Sequence, residues 1–555
     1  MSRFTAEDLA VIIPTRGRWS ILAKTLEGLA RQTVTGFEIV VVVDGADDNG
    51  TVPALPGVRV IVQPHRGPAI ARNVGVRAAS VPLILLLGDD MLPVPTLIER
   101  HLDAHNREPE QHVAVLGQAV WHPDVRQDRL ARWMDWDDVQ FQYRLIKTDD
   151  AGFGRFYSSN VSIKREFFLG IGGFDEDFTI YYEDIDCGWR LNDHGLRLRY
   201  EPEALTDHLH RYDWPSIERR FAGIAKGERL MMRKHPEFEP WYSNIIRATR
   251  SEPRASLAWP LLVDWLPESA GRVRHWLERR AHVAYYQALA PAFLQSWHAD
   301  QSLDELRIHL GPAFDEQALW QHHDLVEREE AAATDDLSFY RTSRAYLYDL
   351  TAFAMWDTKV PYREALRRSV PPGSRLLDYG CGIGSDGLWF LDDGYEVSFA
   401  DFDNPSVEYL RWRLERRGLS APVYDIEGEL PTGFDAVYAF DVIEHVDDPW
   451  AFLGRLEDLA DIVAVNFLEP DEADTHLHKP LPVDQLLDHA ANMDLRFYRR
   501  YHARSHLVIY GTTRGGLRAQ LRSRARRALG PYVRPLSLAD LDRVERLRRQ
   551  LRRSR

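Results

Sequence analysis

The 555-residue chain reads as two α/β units, each built on a largely parallel sheet, with a helical stretch between them and a basic end. Three observations carry that expectation. Apolar strand-like runs alternate with helix-period segments over the first 90 residues. The same alternation begins again near Pro371. The length also exceeds what one core serves, at about 100–200 residues per domain.

In chain order, Leu9–Ile13 is an apolar run ending at Pro14, and Ser20 stands where it can cap a helix carrying Ile21, Leu22, Thr25, Leu26 and Leu29. Glu38–Val43, Val58–Val62 and Leu83–Leu87 read as buried strands, with a helix over Pro68–Ala79. Such alternation places a ligand crevice at the carboxyl ends of the strands. From Trp214 to Arg344 the pattern is helical, punctuated by Pro253, Pro260 and Pro267, and the acidic stretch Glu327–Asp336 reads as a solvated connection. Arg375–Asp378 then enters a glycine-rich turn, followed by strands at Glu396–Ala400, Asp435–Phe440 and Asp461–Asn466.

Two cysteines, Cys187 and Cys381, exclude a disulfide framework and a four-cysteine zinc site. The apolar runs fall far short of the about 20 residues a spanning helix needs, and Met1–Asp8 lacks the pattern of a signal peptide. The expected location is cytoplasmic, at most peripheral to the inner face of a membrane. The net charge of −15 is uneven: from Arg514 to Arg555 fourteen arginines face Asp540, Asp542 and Glu545, a balance of +11 that leaves residues 1–513 at −26. An acidic body argues against nucleic acid as a partner. The Arg-rich segments Arg518–Ala528 and Leu538–Leu551 carry leucines at near-helical spacing, a pattern shared by solvated tails and by helices that bind anionic membranes or acidic partners.

The first chemical constellation lies at strand ends. Asp44 follows one apolar run, and Asp89 and Asp90 follow another after Gly88. Carboxylates there face the crevice and suit a hard divalent cation with phosphate oxygens, and Arg72 suits a diphosphate. Further on, Gly172-Gly173-Phe174-Asp175-Glu176 leads to Tyr182-Glu183-Asp184-Ile185-Asp186-Cys187-Gly188-Trp189-Arg190-Leu191, and then to His208. With Ile13-Pro14-Thr15-Arg16-Gly17-Arg18, Arg72-Asn73 and Gly88-Asp89-Asp90, this ordered set resembles family 2 glycosyltransferases of the GT-A fold over residues 9–240.

That resemblance implies a nucleotide-sugar site in which Pro14, Thr15, Arg16, Asp44, Arg72 and Asp89 hold the donor. Asp90 and His208 hold Mn2+ or Mg2+, and Asp184 is the base that deprotonates the acceptor. One displacement would invert the anomeric centre. Val43 and Gly88 stand where many members carry further acids, and the Gln-x-x-Arg-Trp signature of processive synthases is absent after His208. Trp133, Trp136, Phe141 and Tyr143 read either as core packing or as the lining of an acceptor groove.

The second constellation is Leu376-Leu377-Asp378-Tyr379-Gly380-Cys381-Gly382-Ile383-Gly384. A Gly-x-Gly-x-x-Gly spacing fits from Gly382 through Gly384 to Gly387, so spacing alone leaves NAD open. The strand, Asp378 and Gly-x-Gly-x-Gly in that order resemble class I S-adenosylmethionine-dependent methyltransferases, as do Asp425-Ile426 and Asp441-Val442-Ile443-Glu444-His445-Val446, over residues 340–512. The resemblance implies a Rossmann-like domain binding S-adenosylmethionine through Asp378, Gly380, Gly382, Gly384, Asp401, Asp425 and Asp441. His445, His476 and His478 are candidate bases for a hydroxyl acceptor. His476-Leu477-His478, with Asp471 and Asp474, also resembles a metal-binding pair.

The expected organisation is therefore a glycosyltransferase domain at 1–240, a helical extension at 241–339, a methyltransferase domain at 340–512 and a basic tail at 513–555. The function expected of it is sugar transfer to a glycan or lipid-linked acceptor coupled to O-methylation of the glycan. The alternative is a glycosyltransferase whose methyltransferase-like domain is a non-catalytic binding or assembly module.

Overall fold

The computed structural model describes residues 3–45, 57–126, 128–263, 266, 268–356, 358–469, 478–530, 532, 540–541 and 543–544. The chain divides into two compact units. One comprises Met1–Ser243 with Leu257–His282 and Leu538–Arg555, and the other Asn244–Ser256 with Val283–Ser537. Among the described residues no helix is long and apolar enough to cross a membrane.

The first unit holds strands β1 (Leu9–Thr15), β2 (Glu38–Asp44), β3 (Val58–Gln63), β4 (Leu83–Leu87), β5 (Met91–Pro93), β6 (Val113–Trp121), β7 (Asn160–Lys164) and β8 (Arg197–His208). They form one sheet in the order β3-β2-β1-β4-β7-β6-β8-β5. The first four are mutually parallel, and β7 joins β4 antiparallel. Both faces of β1 are buried: Leu9, Val11 and Ile13 enter one core cluster, while Ala10 and Ile12 enter the other. Strand order reverses beside β1, so the carboxyl ends of β1, β2 and β4 surround an open crevice. The antiparallel pairing of β5 with β8, Met91 opposite His208, brings the chain end after β8 beside Asp90.

The second unit holds β9 (Arg375–Tyr379), β10 (Glu396–Asp401), β11 (Val423–Asp425), β12 (Ala436–Ala439), β13 (Ile462–Leu468), β14 (Asp494–Tyr501) and β15 (Ser505–Gly511). Their order is β11-β10-β9-β12-β13-β15-β14, parallel through β13 and antiparallel at β15 and β14. Gly387, in the helix Ser385–Asp392, packs so close to the sheet that a Cβ there would lie 2.1 Å from Phe399 Cε1.

Two stretches carry more local structure than the sequence reading gives them. The acidic run expected as a solvated connection is largely helical, in His322–Ala332 and again from Asp336 to Thr342. Its carboxylates cap helices: Asp335 accepts from Ser338 N, and Glu329 accepts from Arg344 N and Ala345 N at the start of the helix Ala345–Trp356. The first Arg-rich segment is not wholly solvated either. Helix Leu517–Leu529 packs on β14, burying Ser523, whose hydroxyl accepts from Leu495 N at 3.0 Å, while Arg526 donates to Leu495 O. Most of Leu538–Leu551 lies outside the described residues.

Gly387→Ala should destabilise the second unit by about 1–3 kcal/mol through overpacking against Phe399, read as a lower denaturant midpoint for that unit's unfolding.

Candidate active sites

In the first unit, nine residues singled out from the sequence line one cavity of about 800 Å3: Pro14, Thr15, Arg16, Asp44, Arg72, Asp89, Asp90, Asp184 and His208. Asp44 ends β2 with four donors on its carboxylate. Gln63 Nε2 and Arg66 N reach Oδ1, and His65 Nδ1 and Gly67 N reach Oδ2, all at 2.8–2.9 Å. Burial raises its pKa, but these hydrogen bonds prevail and hold it below the usual carboxylate value. Arg16 Nη1 donates to His65 Nε2, so Arg16, His65 and Asp44 form a chain along the crevice rim.

Asp89 and Asp90 share one guanidinium. Arg18 pairs with Asp89 and donates from Nη1 to Asp90 Oδ2 at 2.6 Å, while Thr15 Oγ1 donates to Asp89 Oδ2 at 2.7 Å. Burial and the neighbouring Asp90 push Asp89 up to about 6. Asp90 is also buried, yet His208, His210 and Arg18 hold it well below the usual value. Asp90, His208 and His210 each offer a ligand atom within 4.8 Å of the others. His208 is kept neutral by burial, its Nε2 3.6 Å from Asp90 Oδ2 and its buried Nδ1 without a partner. Two imidazoles with one carboxylate fit a divalent cation such as Mn2+.

Opposite lies a second carboxylate pair, at the start of the helix Glu183–Asn192. The two residues before it, Tyr181 and Tyr182, have φ of 60° and 70°, a left-handed turn unusual for aromatic side chains. The helix Trp214–Lys234 holds that turn in place. A Cβ on its Gly223 or Gly227 would lie 2.7 Å from the Tyr181 or Tyr182 ring, and Tyr182 Oη donates to buried Glu228 at 2.7 Å. Glu183 accepts from Arg72 Nη1 at 3.1 Å, and Arg72 also lies over the Phe174 ring. Burial and Asp184 raise Glu183 to about 6. Burial also raises Asp184 against the pull of Arg72 and Ser158, since Ser158 N donates to its Oδ2 at 3.0 Å. The other oxygen, Oδ1, is buried with no hydrogen-bond partner. A carboxylate with one anchored and one unengaged oxygen is equipped to accept a proton from a bound hydroxyl.

In the second unit, Gly380, Gly382 and Gly384 all have positive φ, and a Cβ on each would lie 2.4–2.7 Å from Val442, Leu350 or Leu410. Asp378 is buried and braces this turn by accepting from Gly387 N at 3.0 Å. Asp401 ends β10, accepting from Gly382 N and Phe402 N at 2.7 Å, and burial raises it to about 6. Asp425 stands in register with Asp401 on the neighbouring strand. Asp441 has φ of 57° and is held by a reciprocal pair of hydrogen bonds with Asn466 and by Lys359 Nζ at 3.3 Å. His445 Nδ1 lies 3.0 Å from Tyr340 Oη, and its ring centroid lies 4.9 Å from that of His478. His476, Asp471 and Asp474 lie outside the described residues.

The family model for glycosyl transferase family 2 matches residues 10–170, and a methyltransferase domain model matches residues 377–461. The chain joins a family 2 glycosyltransferase domain to a methyltransferase domain. Its first part is 31% identical over 277 residues to validoxylamine A glucosyltransferase of Streptomyces hygroscopicus subsp. jinggangensis, covering 42% of this chain and 62% of that one. It is 30% identical over 231 residues to pre-mycofactocin glycosyltransferase of Mycobacterium tuberculosis, covering 39% and 47%. The chain thus spans less than two thirds of the length of each of these relatives. A solved mannosyltransferase of Pyrobaculum calidifontis, in complex with GDP-Man and Mn2+, aligns at 17% identity and TM-score 0.31, covering 63% of this chain and 88% of that one.

Sequence reasoning missed several cavity residues of the glycosyltransferase domain. Arg18 sat inside a quoted motif, but nothing there marked it as the counter-ion of two carboxylates. His210, two residues beyond His208, carries no motif of its own; it joins the Asp90 cluster because His208 ends β8 and the chain runs on past Asp90, Leu209 N donating to Asp90 O at 2.9 Å. In the second unit, Lys359 and Tyr340 precede every strand of its sheet and carry no motif.

Asp184→Asn should lower the glycosyl-transfer kcat by about 10²–10⁴-fold with the fold intact by circular dichroism. Because burial raises Asp184 above the usual carboxylate value, kcat/KM in the wild type should begin to fall on acidification at a pH above the ordinary carboxylate range near 4.

Proposed function

We propose that this protein is a bifunctional enzyme. Its first domain transfers a sugar from a nucleotide-sugar donor to a glycan or lipid-linked saccharide with inversion. Its second domain uses S-adenosylmethionine to O-methylate a sugar of that glycan. The observation that carries the first half is the unengaged, buried Oδ1 of Asp184 facing the same cavity as Asp90, His208 and Arg72. Those groups suit the two ends of a single displacement: Asp184 takes the acceptor proton while cationic groups receive the departing diphosphate. A divalent cation held by Asp90 and His208, with His210 beside them, would supply further charge neutralisation to the leaving group. Arg72, bridging toward Glu183, ties the diphosphate end of the cavity to the base end.

An adjoining cavity of about 620 Å3 supports the saccharide acceptor. Trp121, Trp136, Phe141, Tyr143 and Tyr200 line it, and Phe141 and His208 line both cavities. Aromatic faces suit the apolar faces of sugar rings. Trp133 takes no part: it is buried, stacked at 6.4 Å on both Trp214 and Phe221.

For the second half, the support is the glycine turn with its three positive-φ glycines and Asp401 bonded to Gly382 N. Methyl transfer from a sulfonium needs mainly positioning, and the clustered Tyr340, His445 and His478 are the candidate bases for a hydroxyl acceptor.

Incubation with nucleotide-sugar donors, a saccharide acceptor and labelled S-adenosylmethionine tests the proposal by mass spectrometry. Asp90→Asn should abolish sugar transfer and leave S-adenosylmethionine binding intact. Gly382→Val should abolish S-adenosylmethionine binding and leave sugar transfer intact. Retention of methyl incorporation in Gly382→Val, or no turnover with any donor in the wild type, would overturn the reading. Trp136→Ala should raise the acceptor KM several-fold, about the 1 kcal/mol scale of one aromatic contact, with the donor KM unchanged.

A further inference from the structure

The second unit carries a cluster that neither constellation uses. His322 opens the helix His322–Ala332, His323 follows it, and both face Asp349 on the helix Ala345–Trp356. His322 Nδ1 lies 2.7 Å from Asp349 Oδ1, and His323 Nδ1 lies 3.9 Å from the same oxygen. The two imidazole centroids are 4.0 Å apart. All three residues offer a ligand atom within 4.8 Å of the others.

A second observation is independent of that spacing. The His322 side chain is 1% exposed, and its Nε2 is buried with no hydrogen-bond partner. An imidazole this deeply buried normally has both nitrogens engaged. Here only Nδ1 is engaged, by the carboxylate of Asp349, so the buried ring depends wholly on the contact that forms the cluster.

We infer that His322, His323 and Asp349 form a binding site for a transition-metal dication of the Zn2+ class. Two imidazoles and a carboxylate suit Zn2+, Ni2+ or Cu2+ better than Mg2+ or Ca2+, which call for all-oxygen shells. Tetrahedral bonds of about 2.0–2.1 Å put neighbouring donor atoms about 3.3 Å apart, and the 2.7 Å and 3.9 Å separations bracket that value. The exposed His323 ring has room to close the longer separation, and a small turn of the Asp349 carboxylate would open the shorter one. Phe353 and Trp356 pack around His322 and give the site an apolar wall. Three protein ligands leave one position for water.

The site's place in the fold says what the metal does. Asp349 is followed by Leu350, whose Cδ1 lies 2.7 Å from where a Cβ on Gly382 would stand. A metal joining the helices His322–Ala332 and Ala345–Trp356 therefore braces the segment that packs on the glycine turn.

The test uses the full-length protein stripped with a chelator and titrated with Zn2+ by calorimetry and with Co2+ by visible absorption. Wild type should bind one equivalent of Zn2+ that Asp90→Asn retains, and Co2+ should develop the d–d band of a four- or five-coordinate nitrogen and oxygen site. His323→Asn, a change at a side chain 67% exposed and therefore safe for folding, should weaken that equivalent beyond the about 10–100-fold cost of a second-shell change. Asp349→Asn should do the same. Zn2+ should raise the melting temperature of the wild type but not of His323→Asn. Unchanged stoichiometry and affinity in folded His323→Asn, or no equivalent in wild type beyond one that Asp90→Asn removes, would overturn the assignment.

Discussion

Two arginines neutralising two pairs of adjacent carboxylates is the constraint on which the first site depends. Arg18 serves Asp89 and Asp90, and Arg72 serves Glu183, the neighbour of Asp184. Each pair is buried, and adjacent buried carboxylates cannot both ionise freely without a counter-charge. The histidines separate Asp89 from Asp90: His208 and His210, with Arg18, hold Asp90 low, while burial raises Asp89, Glu183 and Asp184. One cavity thus holds a low carboxylate beside two imidazoles and a pair of raised carboxylates, from four side chains of nearly the same chemistry.

The surrounding architecture keeps these groups apart and aimed. The switch in strand order beside β1 opens the crevice, and the β5–β8 pairing brings the two histidines to Asp90. The paired left-handed tyrosines turn the other carboxylate pair toward the cavity, and the glycines at 223 and 227 give their rings somewhere to lie. Strain at that turn is offset by packing and by the Tyr182–Glu228 hydrogen bond, the usual arrangement where a site needs a backbone that propensity disfavours.

What could be read from sequence followed from chemistry that is local. Glycines at positive φ after a strand, acids directly at strand ends and apolar runs at strand length each leave a mark in a few consecutive letters. The cavity members Asp44, Asp89, Asp90 and Asp184 were legible for that reason. Tyr181 and Tyr182 were not, because no residue pattern announces a left-handed tyrosine; the signal is a glycine pair some 40 residues later on another helix. Trp133 and Trp136 are three residues apart, yet one is core and the other lines a cavity. Which face of the helix Arg129–Trp136 meets Trp214 and Phe221 is decided by the fold. The acidic run at 327–336 is largely exposed, but its capping role was not legible, since carboxylates that suit solvent also suit helix starts.

The helix Leu517–Leu529 carries a consequence for how the second unit meets its surroundings. It packs on β14, the last strand of the sheet, so the outermost backbone edge lies beside an arginine-rich helix. Charged residues and a covering helix are the two common guards against edge-to-edge pairing between molecules. Cutting the chain just after β15 would remove both guards together, and with them the Ser523 and Arg526 partners of the Leu495 backbone. The helix and its arginines thereby cover the edge of the sheet that β14 would otherwise present.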